Sequence, residues 1–322
     1  MLALASPASL KGVLSAAEAA TLLASGMRRV DGVDAVELPV ADGGEGTAEV
    51  LKRALGGEWM TAAVTDPLGR PVAARWLMLP DGTAVVESAQ AAGLPLLRED
   101  ELAPLNATTR GLGELLLATM TASPRRLLVG VGGTATVDGG VGMRAVAGAW
   151  LHDVPIRVLC DVRNPLLGER GAARVFGPQK GADDEAVEEL EARLSALEEL
   201  APYRDVPGAG AGGGLGAAFA ALGAELSDGA ELVLDMIGFD ELARDADLVV
   251  TGEGAVDATT LEGKAPGAVM RRCERLGVRC ELFGGLVRDG IDAHALSGRR
   301  ALAGEDVVQL GEELARSLVE GS

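Results

Sequence analysis

Residues 245–257 read DADLVVTGEGAVD. The apolar run that opens this stretch has the density of a buried strand. The glycines on either side of Glu253 predict a turn that leaves an acid at the strand's end. The same grammar stands near the beginning of the chain, where AVELPV (35–40) runs into ADGGEG (41–46) and a helix is predicted over TAEVLKRAL (47–55). Ahead of it, LALAS (2–6) predicts a short buried strand, and SAAEAATLLASGMRRV (15–30) a helix with Ser15 as N-cap and Glu18 closing a capping box. Beyond the opening stretch come a predicted helix over PGAVMRRCERLG (266–277) and a strand over VRCELFGG (278–285). The two ends of the chain therefore predict one layer of parallel strands and helices.

Between them the texture changes. WMTAAVT (59–65), PVAARWLML (71–79) and TAVVESA (83–89) are short alternating runs separated by DPLG and PDG, the pattern of an antiparallel meander. A helix over GLGELLLATM (111–120), a strand over RRLLVGV (125–131) and a second strand over IRVLCDV (156–162) follow. An acidic amphipathic helix is predicted at 184–200, and a glycine-rich turn opens another helix at 207–222. The fold expected is α/β with two domains. A parallel-sheet, Rossmann-like domain is formed by residues 1–60 and 244–322, and a larger mixed-sheet domain, 61–243, is inserted into it.

Composition narrows the function. The 322 residues carry 48 acids against 29 Lys and Arg, a formal charge of −19, which argues against nucleic acid or an anionic membrane as partner. Three cysteines and two histidines at these spacings give neither a disulfide framework nor a zinc site. The opening MLALASPASLKG lacks the basic flank of a signal peptide, and no 18-residue apolar run predicts a membrane span, so a cytoplasmic location is expected. Only four lysines occur, and three of them, Lys11, Lys180 and Lys264, adjoin glycine. A compact cation beside a glycine turn is suited to a phosphate or carboxylate.

The motifs point the same way. VGVGGTATVDGGVGM (129–143) follows a predicted strand and contains Gly130-x-Gly132-x-x-Ala135, a nominal dinucleotide pattern. The acid that should follow about 20 residues later falls near Asp153, in a polar connection rather than at a strand end. A nicotinamide-dependent oxidoreductase is therefore the lesser reading, and with Ala258 in place of its first glycine, the Lys264 turn is not a P-loop. Asp42, Glu45, Asp138, Asp161, Glu253 and Asp257 remain as acids in glycine turns at predicted strand ends. Acids that hold magnesium or accept a hydroxyl proton, with amides and lysines for phosphates, are the parts phosphoryl transfer needs.

LPVADGGEGTAEVL, DPLGRPVAARW, the 129–143 stretch, CDVRNPLLGERGAARVFGPQKGA, PGAGAGGGLGAAF and ADLVVTGEGAVDATTLEGKAP resemble, in this order, the signature blocks of the bacterial type I glycerate kinase family. The resemblance implies two α/β domains with the active site in the cleft between them. It implies an ATP- and Mg²⁺-dependent kinase acting on D-glycerate, usually at the 2-hydroxyl, with the 3-hydroxyl left open. By position it makes Asp161 the base or metal-organising acid, with Asp138 as a second metal-side acid. The glycines of 132–140, Gly132 and Gly133 among them, would cradle phosphate together with Thr134. Lys11, Gln179 and Lys180 would meet anionic groups, and Glu253 and Asp257 would complete the site. Ser9, Asp42, Glu45, Gly252 and Lys264 join the substrate- and phosphate-binding set. Three positions depart from the family pattern: Ala8 stands for Asp, Val137 for Asn and Ala255 for Arg. Ala8 and Val137 favour the alternative reading, a non-catalytic or altered-specificity relative that binds nucleotide or a small hydroxy acid. Whether two copies pair as a homodimer is left open.

Overall fold

Strand and helix alternate along most of the chain, and the computed structural model turns that alternation into two sheets. It describes residues 1–288, 290–296 and 304–321. The strands are β1 (Leu2–Ala5), β2 (Asp34–Glu37), β3 (Glu58–Thr65), β4 (Pro71–Met78), β5 (Thr83–Glu87), β6 (Arg126–Gly130), β7 (Ile156–Cys160), β8 (Glu225–Asp228), β9 (Leu248–Val256), β10 (Cys280–Val287) and β11 (His294–Ala295). The fold is α/β, with one parallel and one mixed sheet.

The first compact unit comprises residues 1–42, 49–54 and 230–322. Its five strands lie in the order β11-β10-β9-β1-β2, every neighbour parallel. Central strands of such a sheet are covered on both faces, which is why β1 and the first half of β9 are almost purely apolar and buried. The helix Ala16–Met27 begins with the expected capping box, Ser15 accepting from the Glu18 N–H and Glu18 reaching back to Ser15 N–H. It packs with the helix Gly304–Glu320 over the sheet through Leu23, Met27, Leu310 and Leu314. Arg272, buried on the helix Ala265–Leu276, bridges Glu231, Asp235 and Asp240. That network fastens residues 231–240 to the first unit, so the chain changes unit at 229/230.

The second unit comprises residues 43–48 and 55–229. Its sheet runs β3-β4-β5-β6-β7-β8. The expected meander supplies the antiparallel pairs β3–β4 and β4–β5, and from β5 onward each neighbour is parallel. The DPLG turn is built by Asp66, which accepts from Leu68 N–H and Arg70 N–H, both at 2.9 Å. A cluster including Trp76, Leu112, Leu116, Met143 and Phe219 forms the core on the sheet.

The structure corrects one element of the opening stretch. Gly252, Glu253 and Gly254 do not form a turn: β9 continues through them to Val256, with Glu253 paired to Gly284 of β10. A ladder on β10 outweighs the local turn preference of the glycines. No helix among the described residues is long and apolar enough to cross a membrane.

Candidate functional site

In parallel α/β sheets ligands gather beyond the carboxyl ends of the strands. In the second unit those ends carry Glu87 (β5), Gly130 and the glycine-rich loop 131–140 (β6), Cys160 and Asp161 (β7), and Asp228 (β8). Three glycine segments interlock there. A Cβ on Gly130 would lie 2.3 Å from the Gly43 carbonyl oxygen, and one on Gly132 would lie 2.8 Å from Gly44 Cα. Gly212, Gly213 and Gly214 all have positive φ (62°, 72° and 95°), and a Cβ on Gly213 would lie 2.0 Å from the Thr136 carbonyl oxygen. Most of these glycines are therefore demanded by backbone-to-backbone contact. Gly132 spends its bare face on Gly44, whereas Gly133 (φ 71°) is exposed with only Ala89 Cβ near.

The loop is fastened from several sides. Ala135 N–H donates to Ala92 O at 2.8 Å, Leu94 N–H donates to Gly133 O at 2.9 Å, and Gly139 N–H donates to Gly213 O at 3.1 Å. Asp138 accepts from Thr109 N–H (2.9 Å), Thr109 Oγ1–H (2.8 Å), Gly140 N–H (3.0 Å) and Gly142 N–H (3.2 Å). Both its oxygens are thus engaged, and the side chain organises the loop and the start of the helix Val141–Ala147. Lys180 lies fully buried, donating from Nζ to Thr134 Oγ1 (3.0 Å) and Thr136 O (2.8 Å). Burial pushes its pKa down to about 7, against the pull of the nearby Asp138 charge. The neighbouring Gln179 is exposed. Val137 is 1% exposed and packs with Leu166, Ala173 and Leu194, so this departure from the family pattern sits in a core.

Two acids missed in the sequence stand at the same strand ends. Glu87 is buried and accepts from Ala48 N–H at 2.8 Å at the start of the helix Thr47–Leu55. Burial raises its pKa, an effect reinforced by the Glu45 charge and opposed by Arg75. Glu45 itself is exposed. Asp228 pairs with Cys160 in the β7–β8 register. Burial pushes the Cys160 thiol up to about 12, with Asp161 and Asp228 adding to the shift. The rule that singled out Asp161, an acid closing an apolar run, would have found Glu87 in TAVVESA. Asp228 escaped because ELSD is short and scarcely apolar.

Asp161 is half-buried. Among the described residues no three His, Cys, Asp or Glu side chains form a cation site. Mg²⁺ takes one or two carboxylates and completes its octahedron with phosphate oxygens and water, and the acids at the ends of β7 and β8 are Asp161 and Asp228.

In the first unit, the segment after β1 runs along β9, Ala8 N–H donating to Gly252 O at 2.8 Å. It carries half-buried Ser9 and exposed Lys11, which has no partner among the described residues. A Cβ on Gly254 would lie 3.2 Å from Lys11 N, so the Ser9–Lys11 segment and the TGEG strand are adjacent. Gly252 is required by Phe283, whose ring a Cβ would overlap at 2.5 Å. Glu253, 9% exposed, accepts from Thr260 Oγ1–H at 2.6 Å and pairs with Lys264 Nζ at 3.2 Å. Asp257 is half-buried and its N–H donates to Thr260 Oγ1 at 3.1 Å. Asp42 is half-buried at the unit's edge in sequence.

Glycine loops and acids beyond the ends of parallel strands are the parts with which α/β proteins bind phosphorylated small molecules. The comparisons with known proteins narrow this. The model of the glycerate kinase family matches residues 3–154 and 147–317. Glycerate kinase of Bacillus subtilis is 40% identical, with 89% of this chain and 87% of that protein covered. Glycerate 2-kinase of Escherichia coli is 41% identical over 81% and 78%. A crystal structure of a protein assigned as glycerate kinase 2 from Salmonella typhimurium LT2 superposes with a TM-score of 0.83 at 34% identity, covering 100% of this chain and 99% of that one. The chain belongs to the glycerate kinase family.

Proposed function

We propose that the protein transfers the γ-phosphoryl group of ATP to D-glycerate, at the 2-hydroxyl, giving 2-phosphoglycerate and ADP. The observation that carries this reading is Asp161, at a parallel strand end beside a glycine loop that is fastened from several sides. Family membership supports the substrate pair.

The hydroxyl oxygen of glycerate forms a bond to the γ-phosphorus while the bond to the ADP oxygen breaks, and the hydroxyl proton passes to the Asp161 carboxylate. Mg²⁺, when bound, would offset the charge of the phosphate oxygens, and Asp161 with Asp228 are the acids suited to hold it. Gly133, exposed and with no side chain, leaves room for a phosphate oxygen to approach the main chain. Lys11, exposed and without a partner among the described residues, supplies a cation for a carboxylate or phosphate. Glu253 holds Lys264 and Thr260 in place, which fixes the only ammonium charge that follows β9 before the helix Ala265–Leu276.

The test is ADP formation with ATP, Mg²⁺ and D-glycerate against a control without glycerate, with NMR of the product to identify the phosphorylated hydroxyl. Asp161→Asn is expected to lower kcat by about 10²-fold or more with an unchanged thermal transition. Equal turnover in the variant and its parent removes Asp161 from the role of base.

A further inference from the structure

Lys180 resembles a phosphate-binding lysine in sequence, yet its surroundings are those of a structural pin. The side chain is 3% exposed, and both of its partners belong to the glycine loop: Thr134 Oγ1 at 3.0 Å and Thr136 O at 2.8 Å. The loop needs these bonds. Thr136 is fully buried; among the described residues its hydroxyl has no hydrogen-bond partner, while its carbonyl accepts from Lys180. The two residues between Gly133 and Thr136 are buried as well. Gly133, at the exposed crest, leads directly into the pinned segment.

We propose that Lys180 is a positioning residue: it fixes the backbone of residues 134–136 from inside the unit, in the shape that receives the polyphosphate of ATP, and never touches that substrate. The proposal rests on the kinase reading above. Three neighbours define its environment. Asp138, on the loop itself, is the charged group that acts on the ammonium. Thr134 and Thr136 are neutral, and the turn that follows packs Gly181 against Leu102. A lysine so enclosed is close to losing its proton at neutral pH, because burial disfavours the charge. The strength of the pin therefore varies over the pH range in which the enzyme is assayed. The ammonium donates more strongly than the neutral amine, but its burial cost outweighs that gain, so the buried position is held more firmly as pH rises through 7.

Amide hydrogen exchange of the peptide spanning 131–140 separates this role from direct contact, because it needs neither substrate nor turnover. In Lys180→Met exchange of that peptide is expected to rise about 10- to 100-fold, the factor carried by one charge-assisted hydrogen bond, with β4 peptides unchanged. Steady-state kinetics on the same variant should show a similar rise in KM for ATP. Any dependence of kcat/KM for ATP on pH near 7 that comes from Lys180 should be missing from the variant. Thr134→Val, which keeps Lys180 and removes one of its two acceptors, should move exchange and KM in the same direction by a smaller factor, and it serves if Lys180→Met fails to fold. Unchanged loop exchange in both variants overturns the proposal. So does a raised KM in Lys180→Met with parent-like exchange, which would assign Lys180 to the phosphate itself. An inactive parent with increased exchange in the variants would sink the kinase reading while leaving the pin in place.

Discussion

Lys180 also makes a prediction about stability that is independent of activity. Its pKa is about 7 in the native protein and near 10.5 in the unfolded chain. Between these values the unfolded state binds one more proton than the native state, so stability rises with pH. The slope from this group approaches 1.4 kcal/mol per pH unit above pH 7, and it integrates to an upper bound of about 5 kcal/mol by pH 10.5. Between pH 6.5 and 8.5 the contribution is about 2 kcal/mol. Other groups oppose it. Glu87, with its raised pKa, keeps its proton in the native state beyond the unfolded value, so its contribution falls as pH rises above the normal carboxylate range. Cys160 does the same above about pH 9. Both effects cancel in the difference between the parent and Lys180→Met. All three tryptophans, Trp59, Trp76 and Trp150, lie in the second unit, so urea melts followed by tryptophan fluorescence report the unit that holds Lys180. The difference between parent and variant should shift in the parent's favour by about 2 kcal/mol over that range. A difference that stays constant within about 0.5 kcal/mol would refute the argument that Lys180 is buried as an ionisable group.

Two other positions make sharper demands on packing. Gly213→Ala forces an L-residue into φ 72° with its methyl 2.0 Å from Thr136 O, and a loss of about 2–4 kcal/mol is expected in the same urea melts. A loss under about 1 kcal/mol would mean that the loop yields to the methyl. Val137→Asn restores the residue type usual in the family, yet it places an amide among Leu166, Ala173 and Leu194. It is expected to cost about 2–4 kcal/mol and to leave turnover unimproved. A gain in kcat would show that residue 137 faces substrate.

Much of this architecture was legible because local chemistry and tertiary structure agree. The capping box of Ser15 and Glu18 is a four-residue event, and the helix Ala16–Met27 follows it as expected. The meander was legible because Asp66 makes its turn from its own neighbours. TGEG was misread because the reason it is extended lies outside it. β1 and β10 flank β9, and no local pattern reports a ladder contributed from 30 residues away. Position 180 shows the same limit in the site. Lys-Gly reads as an exposed charge at a turn, and only the packing of Thr134 and Thr136 around Nζ reveals a buried one. Glu87 was hidden differently. Its strand was recognised, but its role depends on Ala48, whose N–H it receives from another part of the chain.

The interlocked glycines have a consequence for how the molecule comes to exist. Gly43 meets Gly130 across about 90 residues of chain, and Gly139 meets Gly214 across about 75, each through atoms too close to admit a side chain. Such contacts cannot nucleate structure locally. The entropy of closing both long loops is spent before the glycine segments stabilise anything, so the glycine platform is expected to be among the last features to form during folding. A ribosome that has released only the first 200 residues has made β5, β6 and β7, but it has not yet made the backbone against which the 131–140 loop closes. The chain acquires its sheet first and its chemistry afterwards.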